Sequence, residues 1–209
     1  MKSRMILTVI GGSGSGKSEY AEQRVMEFAE KAGRYAFAQQ KNPVQKIYLA
    51  TMKAEGDAAQ ARIRRHLQLR EGKGFQTIEC PEQVSQAISQ MDAAAHQVVL
   101  LECVSNLAAN EMFRADDMAE SARVYEKLCR ELSRLAASCA DLVLVTNDIH
   151  ADGCRYDAAT ASYISLLGRV NQYLASISDE VVEVVYGCPI IQKGGREEKR
   201  QCVQSEQHF

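Results

Sequence analysis

The sequence predicts an α/β fold, with a mostly parallel central sheet and helices on both of its faces. Short apolar, β-rich runs alternate along the chain with longer runs of helical period. That alternation marks βαβ units joined by right-handed crossovers. The strand candidates are apolar throughout, as in V-V-L-L at 98–101 and L-V-L-V at 142–145; strands covered on both faces read this way. The first strand also runs directly into a glycine-rich turn and then a helix.

The elements follow in order. Residues 5–10, M-I-L-T-V-I, are a strand closed by glycines. Residues 18–32 are a helix, with Ala21, Val25, Phe28 and Ala29 at helical spacing and Gly33 as its stop. Residues 34–45 are polar, contain Pro43 and read as a loop, and residues 46–51 are the second strand. Residues 57–71 form a strongly basic helix ended by Gly72 and Gly74. A third strand at 75–79 and a helix at 82–91, behind Pro81, come next. Residues 97–102, Q-V-V-L-L-E, are the most apolar strand. Helices at 105–113 and 117–138, a strand at 141–146, a helix at 158–177 and a last strand at 180–186 complete the order. The chain turns polar from Lys193. The expected division is one domain over 1–193 and a polar tail over 194–209.

Composition narrows the class. With 209 residues, 25 basic and 27 acidic, the net charge is −2, which argues against bulk binding to nucleic acid. No run approaches the roughly 20 apolar residues of a membrane span. The seven cysteines contain no C-x-x-C and several sit in apolar runs. They read as buried free thiols of a soluble, cytoplasmic protein.

The strongest motif is Gly11-Gly12-Ser13-Gly14-Ser15-Gly16-Lys17-Ser18. It fits G-x-x-x-x-G-K-[ST] between a strand and a helix, the setting that a phosphate loop requires. The glycines let successive backbone N–H groups point at phosphate oxygens, and the helix N-terminus adds positive charge. Lys17 is expected to reach the β- and γ-phosphates, and the Ser18 hydroxyl to ligate Mg²⁺. Glu102 ends an apolar strand, where a carboxylate can orient the metal and its waters. Asn147 and Asp148 end the next strand in the same way.

The basic helix reads D-A-A-Q-A-R-I-R-R-H-L-Q-L-R-E. Ala59, Ile63 and Leu67 are four apart and form its apolar stripe; Arg62, His66 and Arg70 form an adjacent polar one. Flanking guanidiniums discourage His66 from protonating and keep it nucleophilic near pH 7. Such a histidine could attack phosphorus and form a phosphoramidate. On the residues alone a solvated basic face with an incidental histidine stands beside that reading, and is the commoner arrangement.

Taken together the motifs resemble the bifunctional adenosylcobinamide kinase / adenosylcobinamide-phosphate guanylyltransferase family of cobalamin biosynthesis. The resemblance runs from about Met5 to Lys193. It is carried by the phosphate loop, Y-L-A-T at 48–51, A-R-I-R-R-H at 61–66, T-I-E-C at 77–80, L-L-E-C at 100–103, L-V-T-N-D at 144–148 and G-R-V-N-Q at 168–172. It implies phosphorylation of adenosylcobinamide by GTP or ATP, then transfer of GMP from GTP to that phosphate. His66 matches the histidine that becomes GMP-linked, so the resemblance reverses the incidental reading. Arg70 and Glu79 match positions near the guanine nucleotide, and Thr51 and Met52 lie in a segment with that role. The resemblance further implies one antiparallel strand in the sheet and a homotrimer. Departures from the pattern fall at 149–157, which lacks proline, and at Ala161, Ile164 and Ser165. Two other readings stand beside it: a phosphate-loop kinase of another small alcohol, and a nucleotide-binding regulator without catalysis.

Overall fold

The computed structural model describes residues 4–38, 43–53, 56, 60, 64, 68, 70–92, 95–114, 117–149 and 156–194. The strands are β1 (Met5–Gly11), β2 (Val44–Ala50), β3 (Phe75–Glu79), β4 (His96–Glu102), β5 (Phe113–Arg114), β6 (Asp117–Met118), β7 (Asp141–Asn147), β8 (Glu180–Val185) and β9 (Cys188–Lys193). The α-helices are α1 (Lys17–Ala38), α2 (Val104–Met112), α3 (Ser121–Ser138) and α4 (Ala158–Ile177). A 3₁₀ helix spans Val84–Gln90.

Seven strands form one sheet in the order β3-β2-β4-β7-β1-β8-β9. All neighbours pair in parallel except β8 with β9. The expected α/β class is therefore what the chain adopts, including the single antiparallel strand.

Period-two alternation sorts each strand between two cores. Val98 and Leu100 of β4, and Val143 and Val145 of β7, pack on the side that carries Ala21 and Val25 of α1. Val99, Leu101, Leu142 and Leu144 pack on the other side, against α2, α3, α4 and the 3₁₀ helix. Both faces are covered, which is why these strands lack polar alternation.

Several boundaries differ from expectation. Gly33 does not end the first helix, which continues to Ala38. Gly33 is half-buried, a Cβ there would meet nothing within 4 Å, and a glycine inside a helix costs only about 1 kcal/mol. The loop expected over 34–45 thus gives way to helix up to Ala38 and to strand from Val44. The segment 82–91 is not an α-helix, because its buried residues Val84 and Ala87 are three apart, and side chains eclipse at that spacing in a 3₁₀ helix. The helix expected from 117 begins at Ser121, after a two-stranded hairpin of β5 and β6.

The resemblance implied an antiparallel strand, but β9 was not among the strands read from the residues. It follows a tight turn in which Tyr186 (φ 49°) and Gly187 (φ 79°) are both left-handed, the geometry that suits a two-residue hairpin. Pro189 is compatible because β9 is an edge strand. Of the basic segment, Gln60, Arg64, Gln68 and Arg70 are helical. Arg62 and His66 lie outside the described residues, as does the tail beyond residue 194.

Candidate nucleotide site

The sheet brings the ends of five strands to one edge. Past the strands, Asp148 N donates to Gly11 O, Thr51 N to Glu102 O and Cys80 N to Ala50 O, at 2.8–3.2 Å. The C-terminal ends of β1, β2, β3, β4 and β7 therefore stay level. In open parallel sheets ligands bind at this edge.

The phosphate loop leaves β1 here. A Cβ on Gly11 would lie 2.6 Å from the carbonyl oxygen of Val184, and Gly16 sits at φ +90° with its Cβ position 3.3 Å from Gly187 Cα. Gly187 N also donates to Ser15 O at 2.8 Å. The turn between β8 and β9 thus braces the loop from outside, a contact the sequence reading missed together with the hairpin. Lys17 is buried and donates across the loop to Gly12 O at 2.9 Å. Burial pushes its ammonium below the ordinary value, and the charge of Glu102 partly opposes this.

Glu102 lies on a strand that is not next to β1, since β7 intervenes. It shares the α1 side of β4 with Leu100 and Val98, two and four residues back. From there its Oε1 accepts a hydrogen bond from the Ser18 hydroxyl at the start of α1. Its Oε2 accepts from the Tyr48 hydroxyl at 3.2 Å. Sequence reasoning missed Tyr48. The signal was available, because a tyrosine inside the buried run I-Y-L needs a partner for its hydroxyl.

The other expected residues divide. Thr51 is fully buried. Its hydroxyl donates to Cys103 O at 2.8 Å and accepts from Cys103 N at 2.7 Å, so it ties β2 to β4 at the site's edge. Met52 follows it, half-buried, and Glu79 is exposed at the end of β3. Arg70 is buried with its guanidinium 3.4 Å over the Tyr48 ring. Its Nε and Nη1 have no hydrogen-bond partner among the described residues. An open depression of about 300 Å³ adjoins it, lined by Gln68, Arg70, Glu71, Phe75 and Thr77. A buried guanidinium with free N–H groups is costly unless an anion completes it.

The motifs T-N-D and G-R-V-N-Q meet in space. The Asn171 side chain accepts from Thr146 Oγ1 at 2.7 Å and donates to Asn147 O at 3.2 Å. Asn147 Nδ2 donates to Ser105 Oγ at 2.6 Å, just beyond Glu102. These residues shape the end of β7 beside the loop.

Hard oxygen donors at Ser18 and Glu102 suit Mg²⁺, with phosphate oxygens and water completing its shell. Among the described residues no group of three or more His, Cys, Asp or Glu could hold a metal by itself. No helix among them is long and apolar enough to cross a membrane.

A phosphate loop whose serine meets a carboxylate from two strands away is the arrangement of P-loop nucleotide-binding α/β proteins. A solved structure agrees at the level of fold: the chain is similar to an ATPase domain, with a TM-score of 0.54, 12% identity, and coverage of 93% of this chain and 78% of that one. The family model for cobinamide kinase / cobinamide phosphate guanyltransferase matches residues 7–191, and the chain belongs to that family of enzymes. It is 30% identical to the bifunctional adenosylcobalamin biosynthesis protein CobU of Escherichia coli (strain K12), over 88% of this chain and 97% of the relative. The CobU of Salmonella typhimurium (strain LT2) is 29% identical over the same shares.

Proposed function

We propose that this chain phosphorylates adenosylcobinamide with a nucleoside triphosphate and then transfers GMP from GTP to the new phosphate through a His66–GMP intermediate. The observation that carries the nucleotide half is the pairing of Ser18 with Glu102 across an intervening strand. It gathers a metal-ligating hydroxyl and a carboxylate at the mouth of the phosphate loop. Ser18 and Glu102 would hold Mg²⁺, which when bound neutralises the β- and γ-phosphate oxygens. Lys17, buried at the loop, gains an anionic partner when phosphates enter, and the loop N–H groups orient them.

The guanylyl half rests on family membership together with Arg70. In this reading a His66 ring nitrogen attacks the α-phosphorus of GTP, the bond to the β-phosphate oxygen breaks and pyrophosphate leaves. A phosphate oxygen of the corrinoid substrate then attacks the same phosphorus and frees His66. The N–H groups of Arg70 that have no partner among the described residues supply anion contacts four residues from His66 in sequence. The same reading places the enzyme in the cytoplasm as a homotrimer, with its nucleotide-handling domain over 1–193.

GTP labelled at the α-phosphate tests the reading. The expected result is a protein adduct, labile to acid and stable to base, that His66→Asn abolishes. Transfer of a γ-phosphate by wild type with no α-labelled adduct would remove the guanylyl half and leave the kinase.

A further inference from the structure

Tyr48 belongs to no motif of the phosphate loop, yet it stands between that loop and the end of the basic segment. It is buried in the middle of β2, with a Leu100 neighbour on β4 in register. Glu102 lies two residues beyond Leu100 on the same face, which brings its carboxylate to the Tyr48 hydroxyl at 3.2 Å. The other carboxylate oxygen takes the Ser18 hydroxyl. Above the ring, Arg70 stacks at 3.4 Å, and the Phe75 ring meets it edge-on at 6.3 Å between centroids. The ring is therefore clamped, and its hydroxyl has a fixed direction.

The clamp is anchored to α1 as well. Lys73, three residues after Arg70, donates to the buried Glu22 at 2.5 Å, and Glu22 lies one turn after Ser18 on α1. The contacts therefore form a closed ring. It runs from Ser18 to Glu102, to Tyr48, to Arg70, on through Lys73 to Glu22, and back along α1.

We infer that Tyr48 is a positioning residue that holds the Glu102 carboxylate for the metal at the phosphate loop. A carboxylate at a strand end can rotate about its side-chain torsions. One oxygen bonded to Ser18 leaves the second free to turn toward solvent. The Tyr48 hydroxyl fixes the second, so the carboxylate plane is set before nucleotide and metal arrive. Preorganisation of this kind acts on metal affinity and leaves phosphate contacts untouched. The inference rests on the proposed role of Glu102.

Tyr48→Phe keeps the ring, its burial and its stacking, and removes only the hydroxyl. Paramagnetic Mn²⁺, titrated into the protein–GTP complex and followed by electron paramagnetic resonance, is the probe. Tyr48→Phe is expected to weaken Mn²⁺ binding about tenfold, the worth of one hydrogen bond to a charged group at the low end of its range. GTP affinity without divalent ion should stay at the wild-type value, and high Mg²⁺ should restore the kinase rate. In a Glu102→Gln background, Tyr48→Phe should add nothing further, since the group it positions is gone; a packing defect would still add its loss. Wild-type Mn²⁺ affinity in Tyr48→Phe, with Glu102→Gln impaired, overturns the role of Tyr48 alone. Wild-type affinity in both variants overturns the metal role of Glu102 and this inference with it. A loss of GTP affinity in the metal-free Tyr48→Phe protein also overturns it, because the effect would then lie on the phosphates.

Discussion

Thr51 is the residue on which the edge of the site depends most directly. Its hydroxyl serves both the N–H and the carbonyl of Cys103, and the side chain is fully buried. Thr51→Val keeps the shape but strands two backbone groups beside Glu102. The expected loss is about 1–3 kcal/mol in urea unfolding, and Thr51→Ser should recover most of it. At this scale the sequence was informative where chemistry is local. Lys17 and Ser18 are legible because a phosphate loop is one contiguous stretch. Tyr48 and the burial of Arg70 were not, because each depends on a partner from another element.

Among elements, Glu111 of α2 joins three pieces that pack on one side of the sheet. It takes Lys127 Nζ of α3 at 2.6 and 2.7 Å, and Gln83 N at the head of the 3₁₀ helix at 2.8 Å. Arg114, at 2.5 Å, lies just beyond α2 in β5. Burial alone would raise its carboxyl; hydrogen bonds from Lys127, the Gln83 N–H and Arg114 outweigh that and hold it below the ordinary range. A depressed carboxyl contributes stability that is present above its ordinary value of 4.5 and is lost as pH falls through the folded value. Glu111→Ala should cost about 3 kcal/mol at pH 7, because Lys127 and the Gln83 N–H lose their acceptor. Urea midpoints at pH 5 and pH 3 should converge for the variant more than for wild type. The helix at 158–177 was legible to the residue, since Asp157 caps it at Thr160 N and its periodicity is uninterrupted. Strand β9 was missed although Tyr186-Gly187 signals a tight turn. Its side chains are all exposed, so it carries no burial pattern to read.

For the molecule as a whole, buried thiols contribute to the loss of stability at alkaline pH, alongside the buried Tyr48 and Tyr163 hydroxyls, which burial also raises. Cys80, Cys103 and Cys139 are buried and free. Burial raises all three, and carries Cys139 from 9.0 to about 12. The unfolded chain ionises its thiols near 9 while the folded one keeps them protonated. Their contribution to stability is therefore complete below pH 9 and declines as pH rises toward 12. Thermal unfolding followed from pH 8 to pH 11 should show this decline, and Cys139→Ala should flatten it at some cost in packing near pH 8. An equal slope in the variant would locate the alkaline sensitivity elsewhere.

Contiguous residues and periodicity were enough to establish the α/β class, the phosphate loop and the family, because each is written locally in the chain. Glu102 was read from the sequence as the carboxylate that accompanies Ser18; that the two side chains touch was decided by tertiary packing. The strand order inserts β7 between β1 and β4, and pairing order is set by packing over long sequence separations that no local pattern records. The same cause hid the contact of Tyr48 with Glu102, 54 residues apart in the chain. Local propensity fixes what an element is; the burial of its faces against distant partners fixes what its side chains can reach.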